Sequence, residues 1–95
     1  MTVRTFVSEL RTIARPSREL VARHVEYLRA LDTRGALVVC GPFVDGEGGM
    51  VCFTATDEHE ARRIAMDDPF VREGARDCRV RELERATAAN DYLSR

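Results

Sequence analysis

The amino-acid sequence predicts a small α+β domain with the element order strand, helix, strand, strand, helix, strand. Residues 17–32 and 57–66 carry apolar side chains at the three-and-four spacing of a helix face, and each stretch starts with a residue that can cap a helix. Residues 45–49 form a glycine-rich turn between two short apolar runs, which is typical of a β-hairpin. With right-handed crossovers, this order places two helices on one face of a four-stranded antiparallel sheet, the ferredoxin-like split βαβ (β-α-β-β-α-β) arrangement.

The first strand and first helix are separated by a proline. Residues 3–13 are rich in β-branched side chains, and the adjacent Phe6 and Val7 indicate a strand with apolar contacts on both sides, or one with a bulge. Pro16 ends this strand and Ser17 is the expected N-cap of a helix that runs to about Asp32. Gly35 occupies the place where a left-handed residue ends a helix.

The second and third strands form the predicted hairpin. Residues 36–44 are too few for a helix and rich in Val, so they predict a strand that is buried on both faces. Residues 50–56 form the third strand. The glycines between the two strands do not indicate a phosphate site, because such a site needs a helix directly after them.

A second helix and a last strand complete the domain. The helix is capped by Thr56 or Asp57 and ends before Pro69, because the residue before proline is disfavoured in the helical conformation. Residues 69–74 predict a single turn, and residues 76–83 the last strand, with Cys78 and Val80 on one face and Arg79 and Arg81 on the other. Residues 84–95 are a tail that forms either a short helix or a disordered end.

Composition limits the classes of function. The 95 residues predict one domain, with a core of about 3–83, and a formal net charge of −1 gives no general attraction for nucleic acid or anionic lipid. Three widely spaced cysteines predict reduced thiols, without a zinc site or a disulfide framework. No apolar run reaches the ~20 residues of a membrane span, and no signal-peptide core is present. We therefore expect a cytoplasmic protein that binds no metal, cofactor, nucleic acid or membrane.

The apolar pattern of the second strand also predicts that the protein pairs with a second copy of itself. The apolar strand at 36–44 needs cover on its second face, and no other predicted element is long enough to provide it. The sequence therefore predicts a homodimer joined sheet to sheet, with a cleft in each subunit between the first helix and the open sheet edge.

Two polar residues are candidates for chemistry. His24 lies on the apolar stripe of the first helix, between Leu20 and Leu28, and a histidine with a carboxylate partner can act as a general acid or base near neutral pH. The alternative is a histidine at the core edge with one satisfied hydrogen bond. Asp68, directly before Pro69, is a good N-cap whatever its other roles, and a capping carboxylate is also a rigid partner for an imidazole.

Other residues near these two have two interpretations each. Gly41 and Pro42 fit a bulge or a close backbone approach beside a pocket, and equally a strand end. Tyr27, three residues after His24, could offer its hydroxyl to a ligand or pack in the core. Arg79 and Arg81 fit an anionic substrate or exposed ion pairs.

Four short motifs carry a resemblance to a known family. They are HVEYL at 24–28, GPF at 41–43, GGM at 48–50 and AMDDPF at 65–70, and in this order and separation they resemble the YciI-like (YCII-related) proteins over about residues 3–83. The resemblance implies a dimeric α+β barrel fold. The first strand and the tail beyond Leu83 show no family motif, so the resemblance implies nothing about substrate specificity carried there.

The resemblance also implies site residues. Family members are suggested to use a histidine on the first helix and an aspartate before proline as a polar pair, which correspond here to His24 and Asp68. One branch of the family catalyses dehydrochlorination of a chlorinated hydroxyhydroquinone. We add as candidate substrate-binding residues Tyr27, Gly41, Pro42 and Phe70.

Three functions follow as hypotheses. The first is a small-molecule enzyme that uses the pair for cofactor-independent proton transfer, as an isomerase, lyase or dehydrohalogenase. The second is a non-catalytic metabolite-binding dimer module. The third, a structural assembly unit, predicts that His24 and Asp68 lie beyond hydrogen-bond reach of each other.

Overall fold

A computed structural model describes residues 2–94 and shows the predicted order of elements. In chain order the elements are β1 Arg4–Thr12, α1 Arg18–Thr33, β2 Leu37–Pro42, β3 Gly49–Ala55, α2 Glu58–Met66, the short α3 Pro69–Arg72 and β4 Arg76–Leu83. The strands form one antiparallel sheet in the order β2-β3-β1-β4. The ferredoxin-like α+β fold is therefore confirmed.

The core lies between the sheet and the helices. Phe6 of β1 is paired with Phe53 of β3, and both side chains are almost fully buried. Leu31 of α1 and Ile64 of α2 belong to the same buried cluster, which places both helices on one face of the sheet. Burying a large apolar side chain stabilises a fold by about 1.5–3 kcal/mol, so this layer fixes α1 and α2 relative to β1 and β3.

Local caps set where α1 begins and ends. The Ser17 hydroxyl accepts a hydrogen bond from the Leu20 backbone N–H at 3.1 Å, as an N-cap does. Gly35 follows the helix with φ of +77°, a conformation that glycine adopts without steric strain. Both predicted ends are thus correct to within one residue, and the phase of α1 determines which way His24 points.

Residues 36–44 are covered on one face only in the single chain, so the burial predicted for their second face depends on the partner copy. β2 is an edge strand that pairs only with β3, and Val38 and Val39 are 43% and 56% exposed. An apolar run of this length fits a covered strand and also an edge strand with one uncovered face. On that uncovered face β1 and β4 carry the ion pairs Arg11–Asp77 and Glu9–Arg81.

Glycines let the hairpin approach its neighbours closely. A Cβ at Gly49 would lie 2.6 Å from the carbonyl oxygen of Gly41, whereas one at Gly41 would meet nothing within 4 Å. The register shift in β2 falls between Leu37 and Val39, so the bulge considered at Gly41 and Pro42 is not there. Pro42 is instead the last residue of the strand, where its missing N–H is tolerated.

Two further predictions concerned the form of the tail and the absence of a membrane-spanning segment. Residues Ala88–Leu93 form a short, mostly exposed 3₁₀ segment, and the Arg85 guanidinium before it donates to the Thr5 hydroxyl at 2.9 Å. Residue 95 lies outside the described residues. Over residues 2–94, every helix is too short or too polar to cross a bilayer.

Candidate active site

A histidine from α1 and an aspartate from the α2–α3 junction meet at the centre of the site. His24 Nδ1 lies 2.7 Å from Asp68 Oδ1, and the two side chains are 13% and 2% exposed. The third hypothesis from the sequence, which required these groups to be apart, does not fit this contact. The structure thus brings together the two residues that were expected to form the pair.

The sequence around Asp68 explains how its carboxylate is held. Asp68 is the N-cap of α3, and its Oδ1 accepts the Phe70 backbone N–H at 2.9 Å. Pro69 at the first helical position fixes the backbone there without loss of a needed donor. The same oxygen therefore accepts hydrogen bonds from a backbone N–H and from an imidazole. A capped carboxylate of this kind is a rigid partner, because its rotamer is set by the turn it begins.

The hydrogen bond assigns the tautomer of His24. A carboxylate only accepts hydrogen bonds, so Nδ1 carries the proton that it donates to Asp68, and Nε2 of the neutral ring has a free lone pair. Nε2 has no hydrogen-bond partner in residues 2–94, and no buried side-chain polar atom in that range lacks one. Nε2 is therefore not fully buried, and its lone pair is left to accept a proton.

Phe70 fixes the plane of the imidazole. Its ring stacks on that of His24 with centroids 3.8 Å apart and planes 7° from parallel. Phe70 is buried with Leu20 of α1 and Ala75. Because the ring that stacks on His24 and the N–H that bonds Asp68 belong to one residue, Phe70 aligns both members of the pair.

A cleft of about 360 Å³ opens beside His24, between α1 and the hairpin edge. Gly41, Pro42 and Phe70, three of the predicted substrate-binding residues, line it. Most of the remaining wall is apolar and includes Val21. Its size lies near the lower end of the range of small-molecule sites, about 300–1,000 Å³. The location matches the cleft expected between the first helix and the sheet edge.

Tyr27 does not line this cleft. Its hydroxyl donates to the Ile64 carbonyl oxygen at 2.7 Å, which ties α1 to α2. Burial, together with the nearby carboxylates of Asp68 and Asp67, raises the pKa of the Tyr27 hydroxyl. Because the hydroxyl stays protonated and committed to a backbone carbonyl, Tyr27 acts in packing, and we do not retain it as a substrate-binding residue.

Comparison with known proteins places the chain in a family. The model of the YCII-related domain matches residues 3–84. The protein belongs to the YCII-related domain family. Among solved structures it is similar to 5-chloro-2-hydroxyhydroquinone dehydrochlorinase from Burkholderia phenoliruptrix AC1100, in complex with 2,5-dihydroxybenzoquinone, with a TM-score of 0.66 and 22% identity over 92% of this chain and 99% of that one. At this identity the likeness supports the fold. No curated protein matches the sequence.

The other polar candidates of this YCII-related protein lie away from the cleft. Arg79 and Arg81 alternate with Cys78 and Val80 and face the side of the sheet opposite the helices, as predicted. Asp67 is exposed at the end of α2. Within the described residues, no group of three or more His, Cys, Asp or Glu side chains is arranged to hold a metal ion.

One residue of the site was missed from the sequence. Arg76 lines the cleft, and its guanidinium carbon lies 5.0 Å from the centroid of the Phe70 ring. The alternation along β4 contained the signal, because Arg76 stands two residues before Cys78 and so shares its helix-facing side of the sheet. The same alternation also places Glu82 on that side, so it predicts the side of the sheet and not the cleft.

Proposed function

We propose that this protein is a small-molecule enzyme in which His24 and Asp68 transfer a proton on a cyclic or enolisable substrate. The observation that carries the proposal is the 2.7 Å contact between His24 Nδ1 and Asp68 Oδ1, beside a cleft that His24 lines. The pair supplies its own base, so the step is written without a metal or organic cofactor. The reaction class is isomerisation, elimination or dehydrohalogenation.

The chemistry starts with the lone pair of Nε2. This nitrogen accepts a proton from a substrate C–H or O–H bond, and the bonding electron pair moves toward a substrate oxygen. The resulting imidazolium is stabilised by the adjacent Asp68 carboxylate, whose charge is little screened by water because the side chain is 2% exposed. In an isomerisation His24 returns the proton to another atom. In an elimination the leaving group, such as chloride, departs with its electron pair and His24 releases the proton to water.

The comparison supports a ring-shaped, oxygenated substrate. The structural neighbour is a dehydrochlorinase that acts on a chlorinated hydroxyhydroquinone and holds a dihydroxybenzoquinone. The cleft in the present chain has a size and a mostly apolar wall that suit one such ring. We therefore propose substituted hydroquinones, hydroxyquinones and cyclic keto acids as the first compounds to screen.

The deciding experiment is a thermal-shift screen of these compounds, followed by product analysis of every compound that binds. We expect at least one compound to be converted, and His24→Gln to lose this turnover while it keeps its circular dichroism spectrum. Equal turnover by the wild type and His24→Gln would overturn the assignment. A ligand that stabilises the fold and is recovered unchanged would favour the alternative, a non-catalytic metabolite-binding module.

We further propose that the working form is a homodimer joined through the uncovered sheet face. Val39 on β2 is 56% exposed and Leu83 on β4 is 48% exposed, and their register places both on the face away from the helices. A second copy would remove these side chains from water.

The three cysteines are free thiols, which suits the reducing cytoplasm that we propose as the location.

A further inference from the structure

Arg76 carries the one full positive charge among the residues that line the cleft, and the proton transfer described above does not use it. It is the first residue of β4, opposite Thr12 of β1. Its Nη1 donates to the carbonyl oxygens of Ala14 and Ala75, both at 3.0 Å. With the Phe70 ring against the guanidinium, these contacts hold the charged group in one place.

No acid neutralises this charge in residues 2–94. Arg4, Arg11 and Arg81 on the same sheet each pair with a carboxylate, whereas no carboxylate oxygen of the described residues lies within 4.0 Å of Arg76. The lining of the cleft contains no Asp or Glu, because Asp68 lies behind His24. The site is therefore an apolar cleft with one uncompensated cation.

The Arg76 guanidinium has N–H donors that no described residue accepts. It has five N–H groups, and the two bonds to carbonyl oxygens use both hydrogens of Nη1. The N–H groups of Nη2 and Nε remain, and neither nitrogen has a hydrogen-bond partner among the described residues. Since no buried side-chain nitrogen there is left unpaired, these donors are accessible. They form the planar fork that fits a carboxylate or another pair of oxygens.

We propose that the Arg76 guanidinium binds an anionic oxygen of the substrate, so that the cleft selects compact, mostly apolar compounds that carry a carboxylate, phenolate or enolate group. The proposal rests on the proposed function for its site, but it concerns binding and does not require turnover. It assigns to Arg76 the anion and to His24 the proton, two contacts that together orient one ligand.

The same contact helps the chemical step. When Nε2 of His24 takes a proton from the substrate, the released electron pair collects on a substrate oxygen. Donors that already point to that oxygen stabilise the added charge without reorganisation. Arg76 thereby acts both on the affinity for anionic ligands and on the reaction rate.

Matched pairs of anionic and neutral probes test the proposal by calorimetry. The pairs are benzoate with benzamide and phenylacetate with phenylacetamide, and the variants are Arg76→Gln, Arg76→Lys and the exposed control Arg63→Gln on α2. We expect the wild type and Arg63→Gln to prefer the anion in at least one pair by about ten- to a hundredfold, the range for hydrogen bonds to a charged group. Arg76→Gln should lose the preference, and Arg76→Lys should keep part of it, since it retains the charge without the fork.

Two further measurements keep the result decisive. If Arg76→Gln fails to fold, rising sodium chloride should weaken anion binding to the wild type and leave the neutral probe unaffected. An equal affinity of the wild type for both members of each pair, or an unchanged preference in folded Arg76→Gln, would overturn the proposal. His24→Gln in the same assay separates the two ideas: it should keep the anion preference, whereas retained turnover in that variant would refute the proposed reaction alone.

Discussion

His24 and Asp68 stand 44 residues apart in the sequence, yet their Nδ1 and Oδ1 atoms lie 2.7 Å apart. The contact forms because α1 packs on the junction between α2 and α3, and because Asp68 lies at that junction as the N-cap of α3. The same Asp68 oxygen accepts the Phe70 N–H, so the start of α3 and the direction of the imidazole are set by one atom. The charge of this atom and its acceptor geometry can be tested separately.

Asp68→Asn should separate charge from geometry. The amide oxygen can still accept the two hydrogen bonds, so we expect the free energy of unfolding to change by less than about 1.5 kcal/mol. Turnover should fall by about 10²–10⁴-fold, because the imidazolium loses its counter-charge. Urea unfolding and initial rates measure the two effects. Asp67→Asn, at an exposed position next to it, is the control and should change neither.

Asp68→Ala should instead destabilise the fold. It removes the cap of α3, worth about 1 kcal/mol, and leaves the His24 Nδ1–H without its acceptor, which adds about 1.5–3 kcal/mol. We expect a loss of about 2.5–4 kcal/mol in the free energy of unfolding. A loss no greater than that of Asp68→Asn would show that the two hydrogen bonds contribute little.

His24→Gln should lower turnover by about 10²–10⁴-fold with the fold intact, because glutamine can bond Asp68 but cannot accept a proton near neutral pH. The matched control is His59→Gln, which alters the other histidine of the chain, exposed on α2. Rates on a substrate found by the screen provide the measurement. Comparable losses in both variants would mean that the effect does not come from the site.

Gly49→Ala should destabilise the hairpin, whereas Gly41→Ala should not. The added Cβ at Gly49 meets the Gly41 carbonyl oxygen at 2.6 Å, and relief requires a shift of the backbone. We expect a loss of about 1–3 kcal/mol in the free energy of unfolding for Gly49→Ala. The Cβ at Gly41 has open space, so that variant should stay within about 0.5 kcal/mol of the wild type. Similar unfolding midpoints for the two variants would contradict the close approach.

Stability at acid pH should reveal the pair between Arg4 and Glu82. The Arg4 guanidinium, which donates to this carboxylate at 2.8 and 2.9 Å, holds the pKa of Glu82 below its ordinary value. A lowered pKa in the folded state contributes stability above the unfolded pKa of about 4.3, and the contribution is lost as pH falls through the folded value. The wild type should therefore have a slightly higher Tm than Glu82→Gln at pH 7, because an exposed ion pair contributes little, and the difference should shrink toward zero at strongly acid pH. A difference independent of pH would count against this effect.

Local chemistry explains which features the sequence could predict. Ser17 and Asp68 cap their helices where expected because a cap depends on residues within one turn of it. The role of Tyr27 depends on a hydrogen bond to the Ile64 carbonyl oxygen, 37 residues away in the sequence. No pattern near Tyr27 predicts this contact. The role of Arg76 likewise required the position of Phe70, although the alternation of β4 already gave its side of the sheet. The exposure of Val39 followed from the strand order, which an apolar run does not encode.

The register shift between Leu37 and Val39 has a consequence for how copies of this chain can aggregate. A straight, regular edge strand invites another strand to add to it, and repeated addition leads to fibrils. The outer edge of β2 is interrupted by the shift near its start and ends at Pro42, which has no N–H to offer an incoming strand. The geometry of this one strand thus disfavours open-ended polymerisation while leaving its apolar side chains exposed.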